Sequence, residues 1–87
     1  MDEYITLSDG TVFHNSHVLE SDGHLYVYVN SEGQTMKTVF DALYESPYTQ
    51  TIHAFRFDQD RQYTGYTHLT NVGEDYGQIA AVLRKAN

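Results

Sequence analysis

His24-Leu25-Tyr26-Val27-Tyr28-Val29-Asn30 alternates without a break, whereas Met36-Lys37-Thr38-Val39-Phe40-Asp41-Ala42-Leu43, six residues further on, does not. In the first stretch Leu25, Val27 and Val29 fall on one side of an extended chain and Tyr26 and Tyr28 on the other, because successive strand side chains point to opposite faces. Both sides are apolar or amphipathic, which places this strand inside a sheet. In the second stretch Met36, Val39, Phe40 and Leu43 stand at i, i+3, i+4 and i+7, the apolar stripe of an amphipathic helix. Ser31-Glu32-Gly33 is the turn between the two periods. Thr35 fits the N-cap, and Pro47 is expected to end the helix near Glu45. A helix of about 11 residues is marginal by itself in water. Its stripe is therefore expected to pack on a sheet that includes Leu25, Val27 and Val29.

Toward the N-terminus, Ile5 and Leu7 alternate with Tyr4 and Thr6 and run into Ser8-Asp9-Gly10. Asp-Gly accepts positive φ and predicts a tight two-residue hairpin turn, with residues 11–14 returning. Residues 18–20 lead to a second such turn, Ser21-Asp22-Gly23. Beyond the helix, residues 51–57 place Ile52 and Ala54 opposite His53, Phe55 and Phe57. Asp58-Gln59-Asp60 reads as a polar turn. In residues 61–72, Tyr63, Gly65, Thr67 and Leu69 alternate with Tyr66, His68, Thr70 and Val72, and Gly65 within this run predicts a β-bulge. Residues 73–77 read as a turn. Residues 78–85 fit helix or strand by period; strand is preferred because the preceding run needs a partner. The expected architecture is α+β: an antiparallel β-sheet with a single amphipathic helix packed across it, in the order β-β-β-β-α-β-β-β.

A chain of 87 residues fits one domain, residues 1–87, and has little stability to spare. Its hydrophobic fraction of 40% is that of a globular protein and argues against disorder. The formal charge of -7 argues against a nucleic-acid backbone or an anionic membrane as partner, since both select basic patches. The absence of cysteine excludes disulfides, thiol catalysis and Cys-type zinc sites. Nothing resembles a signal peptide or a membrane span.

His14 and His17 have metal-like spacing with His24 nearby, but on an extended segment residues three apart point to opposite sides, so no metal is expected. Asp58-Gln59-Asp60 begins like a calcium loop, yet Gln62 and Tyr63 stand where a ligand and the turn glycine belong. Asp41 and Glu45 share a helix face, and a solvated outer face accounts for them. Neither a nucleophile elbow nor a glycine-rich phosphate loop is present, so neither catalysis nor a cofactor is expected.

Eight tyrosines are the informative set. Tyr26, Tyr28, Tyr63 and Tyr66 are the interface candidates, because tyrosine buries apolar area while keeping a hydroxyl for hydrogen bonding. The same residues are also ordinary strand formers. An acidic surface made by Asp58, Asp60, Glu74 and Asp75 is the alternative, imitating the phosphate array of DNA; the acids fall at turns, and turn-favoured solvation is the preferred account of them.

Ile5-Thr6-Leu7-Ser8-Asp9-Gly10-Thr11, the helix around Thr38-Val39-Phe40-Asp41-Ala42-Leu43, and Tyr63-Thr64-Gly65-Tyr66-Thr67 before a short terminal strand together resemble the small accessory proteins found in phages and prophages of Gram-positive bacteria. The resemblance implies a phage setting and supplies no catalytic residues. The expectation is a non-enzymatic accessory protein that binds a host or phage protein and inhibits a host defence function. The alternative is a structural or assembly component of a phage tail. Homo-oligomerisation stays open, and the location is the host cytoplasm, or the virion for a tail component.

Overall fold

The computed structural model describes residues 3–44 and 50–85. The elements are β1 (Tyr4–Leu7), β2 (Val12–His14), β3 (His17–Ser21), β4 (His24–Asn30), α1 (Met36–Tyr44), β5 (Gln50–Arg56), β6 (Gln59–Asp75) and β7 (Gln78–Lys85). The strands form one sheet in the order β2-β1-β5-β6-β7-β4-β3, with every neighbouring pair antiparallel. The fold is α+β, an antiparallel sheet with one helix among the described residues. Residues 78–85 are the expected strand, β7, which joins β6 to β4.

The sheet curls because β6 is long and bulged. Its first half pairs with β5 and its second half with β7. Gly65 is left over where pairing passes from Thr51↔Thr64 to Gln50↔Tyr66, and its φ of 87° is one that only glycine adopts freely. Two further shifts, at Tyr66/His68 and Leu69/Asn71, add to the bend. As a result edge strand β3 approaches β1 and β5, far from it in sheet order.

The other edge strand, β2, is joined to β3 by Asn15 and Ser16 alone. Asn15 turns this corner at φ 53°, a conformation its short polar side chain tolerates, and its N–H donates to the Glu3 carbonyl at 2.8 Å. The buried Ser16 hydroxyl donates to the His14 carbonyl at 2.9 Å and accepts the Asn30 N–H at 3.2 Å. One side chain thereby ties β2 to β4.

Turn chemistry fixes the registers, and three expected turns shift. Ser8-Asp9-Gly10 is a three-residue loop: the Gly10 N–H donates to the Leu7 carbonyl at 3.0 Å, and Leu7 N–H to the Thr11 carbonyl at 2.9 Å. That is a type I turn closed by a left-handed glycine, in place of the expected two-residue turn. The β5–β6 turn is centred on Phe57-Asp58, with φ of 52° and 62°, and Gln59 and Asp60 already belong to β6. The last turn is Tyr76-Gly77 alone, since β6 continues to Asp75. Two-residue loops with both φ values positive match the twist of their strands, which outweighs the cost of about 1–2 kcal/mol for a left-handed non-glycine residue.

Ile5, Leu7, Phe13, Leu25, Val27, Val29, Ile52, Ile79, Ala81 and Leu83 fill the inner face, with Val39 and Leu43 of the helix and Tyr66 of β6. The helix N-terminus is as expected: the Thr38 N–H donates to Thr35 Oγ1 at 3.1 Å and the Thr35 N–H to Thr38 Oγ1 at 2.9 Å, a reciprocal cap. The expected stripe does not pack as a whole. Met36 and Phe40 are 46% and 39% exposed, and Phe40 stacks on Tyr44 at 4.9 Å. Val39 and Leu43, an i, i+4 pair, carry the contact with Ala42 beside them. Nine residues give too few turns to wrap a wide stripe onto a curled sheet, so the helix commits one narrow edge. Glu45 and Pro47, assigned to the helix end, lie outside the described residues.

Candidate functional site

Alternation on β4 sends Tyr26 and Tyr28 outward, because Leu25, Val27 and Val29 are drawn into the core. Register then decides their neighbours. Tyr26 lies opposite Leu19 on β3 and Val82 on β7, and Tyr28 opposite His17 and Ala80. The rings of His17 and Tyr28 stack at 5.0 Å, and His24 lies 6.4 Å from Tyr26. Leu19, on the edge strand, is 57% exposed. These side chains make one outward patch of aromatic and aliphatic surface across three strands. A second stack, Tyr4 on Phe55 at 5.0 Å, occupies the outward face of β1 and β5.

The other two interface tyrosines lie on the inner face. Because Gly65 is a bulge, Tyr63 and Tyr66 share the inner side although they are three residues apart. Tyr66 is 2% exposed and is a core residue, which corrects its assignment as an interface residue. Its hydroxyl donates to the carboxylate of Glu20 on β3. Burial foremost, and the neighbouring Glu20 carboxylate after it, push the Tyr66 phenol up to about 12, so the hydroxyl stays protonated and keeps donating. Tyr63, opposite Ile52, is half-buried against the core.

A cleft of about 620 Å³ opens between β3 and the β5–β6 hairpin. One wall carries Val18 and Glu20, which face inward because their partners Val27 and Leu25 are buried. The other carries Arg61 and Tyr63, in phase with Ala54 and Ile52. Here the inner face continues past the end of the core, so its residues turn polar and the sheet encloses solvent. At the mouth, Arg56 Nε lies 3.0 Å from Glu3 Oε2, and the guanidinium sits 4.9 Å over the ring of Phe57. Sequence reasoning missed this cleft. The signal was the alternation of Gln59, Arg61 and Tyr63, whose phase becomes readable only once the turn is placed at Phe57-Asp58.

The acidic candidates divide into two pairs. Asp58 is at the tip of the β5–β6 turn, and Asp60 faces outward opposite Phe55, 3.5 Å from His53 Nδ1. Glu74 and Asp75 close the far end of the same 17-residue strand, opposite Ile79 and Gln78. The two pairs are thus placed at opposite ends of β6. Among the described residues no group of three or more histidine, cysteine, aspartate or glutamate side chains is placed to hold a metal ion. His14 instead lies 6.5 Å from the Tyr4 ring, and His17 Nδ1 lies 3.8 Å from Glu3. No helix among them is long and apolar enough to cross a membrane.

No protein-family model, curated protein or solved structure matches this chain.

Proposed function

We propose that the protein acts by binding another protein through the outward patch centred on Tyr26 and Tyr28, as a non-enzymatic accessory protein of phage type. The observation that carries this reading is the setting of Tyr26, flanked on both neighbouring strands by apolar side chains, Leu19 and Val82, beside the His17–Tyr28 stack. Aromatic surface with apolar neighbours is the composition of interface cores. In this reading α1 lies across the inner face of the sheet and closes the core, which leaves the outer face for the partner. That partner is a protein of the host cell, bound in its cytoplasm so that a host function is blocked. A tail component, which would use the same face for assembly in the virion, is the alternative. The separation of Asp58 and Asp60 from Glu74 and Asp75 supports the tyrosine patch over an imitation of nucleic acid.

Affinity capture from a lysate of a Gram-positive host, with the chain immobilised, tests the reading. A captured host protein should be lost with Tyr26→Ala and retained with Glu74→Lys. Retention by the first variant and loss by the second would contradict it.

A further inference from the structure

The cleft between β3 and the β5–β6 hairpin concentrates much of what little positive charge the chain has. Of five basic residues in a protein of formal charge -7, Arg56 and Arg61 both line it. Arg56 is engaged by Glu3 and by the Phe57 ring. Arg61 has no carboxylate within 4.0 Å among the described residues. It stands on the same side of the sheet as its strand partner Ala54 with its side chain exposed to solvent, and the half-buried ring of Tyr63 follows on that side. Glu20 across the cleft is already occupied by the Tyr66 hydroxyl. The hairpin tip that frames the mouth holds Phe57, a bulky side chain, at φ 52° and 64% exposed. Such a conformation in an aromatic residue is uncommon, and it sets the ring beside the cleft.

We propose that this cleft binds a small organic anion with a single carboxylate or phosphate headgroup, its oxygens taken by Arg61 and its planar body resting against Tyr63. A guanidinium presents a planar fork of donors that matches either headgroup, and a concave site with an aromatic wall makes the contact stronger than on open surface. The volume of about 620 Å³ suits a small molecule. The ligand carries one headgroup because the field of an acidic protein repels polyanions, while one local guanidinium and the Tyr63 ring favour a compact anion with a planar body. The cleft borders the outward tyrosine patch along edge strand β3, where His17 and Leu19 belong to both, but the anion contacts at Arg61 and Tyr63 use neither Tyr26 nor Tyr28.

Titration of the labelled protein with benzoate and with phenyl phosphate, followed by amide chemical shifts, tests the proposal. At least one probe should saturate shifts confined to residues 17–20 and 56–63, and whichever binds tighter identifies the headgroup. Benzamidine, with the same ring and a positive charge, should leave them unmoved. Arg61→Gln is expected to weaken binding tenfold or more and Arg61→Lys to weaken it less, because the charge survives without the fork. Arg84→Gln and Tyr26→Ala should bind as the parent does, and the spectra show in the same experiment that each variant is folded. The proposal is overturned if neither probe moves these amides, if benzamidine moves them equally, or if Arg61→Gln binds unchanged.

Discussion

The hydroxyl of Tyr66 on β6 donates to the carboxylate of Glu20 on β3, joining two strands that are separated in the sheet by β7 and β4. The bond crosses the inside of the curl, so it measures how tightly the sheet folds over. Tyr66→Phe keeps the ring and removes the bond. Glu20 is exposed and regains water, so the expected loss is about 1–2 kcal/mol, read from urea unfolding at pH 7.

Burial of the Tyr66 phenol, with its bond to Glu20 second, makes stability fall in alkali. The folded-state phenol is raised from 10.0 to about 12, so the folded chain holds its proton where the unfolded chain has lost it. This contribution is complete below pH 10 and declines as the pH rises through 12, by roughly 2–3 kcal/mol in all. Unfolding midpoints measured between pH 8 and about 12 should show this decline in the parent and a shallower one in Tyr66→Phe. Parallel curves would contradict the assignment.

At the β2–β3 corner, Ser16→Ala removes the hydroxyl that serves both the His14 carbonyl and the Asn30 N–H. Leaving those two groups without their partner is expected to cost about 1–3 kcal/mol. Amide exchange at Asn30 should accelerate by more than the global loss of stability predicts. Asn30 exchanging only as fast as the rest of β4 would place the tie elsewhere.

The helix gives the sharpest contrast between neighbours. Leu43→Ala empties a fully enclosed site and is expected to cost about 2–5 kcal/mol, whereas Phe40→Ala, at a partly exposed ring, should cost about 1 kcal/mol or less. Thermal unfolding of the two variants checks the order. A larger loss at Phe40 would restore the wider stripe.

Legibility in the sequence followed the range of the physics. Strand faces of β1 and β4 were readable because alternation is local, and so were the cap at Thr35 and the bulge at Gly65, which depend on one or two residue types. The helix stripe was over-read, since periodicity shows which side chains can face a core but not how many a curled sheet accepts. Phe57 could not be read as a turn residue, because its left-handed conformation is imposed by the twist of β5 and β6 against its own preference. That one displacement hid the phase of Gln59, Arg61 and Tyr63, and with it the cleft. Tyr66 was misassigned for a related reason: an extra residue at position 65 reverses the face of everything after it.

Binding through the outward patch is tested most directly by the affinity of the captured partner, measured by titration calorimetry at low and high salt for the parent and Tyr26→Ala. An aromatic contact predicts affinity that changes by no more than about threefold with salt and falls about 30-fold on substitution, the equivalent of ~2 kcal/mol at an interface hot spot. Affinity that collapses with salt while Tyr26→Ala binds like the parent would contradict the account and return the contact to the acidic residues.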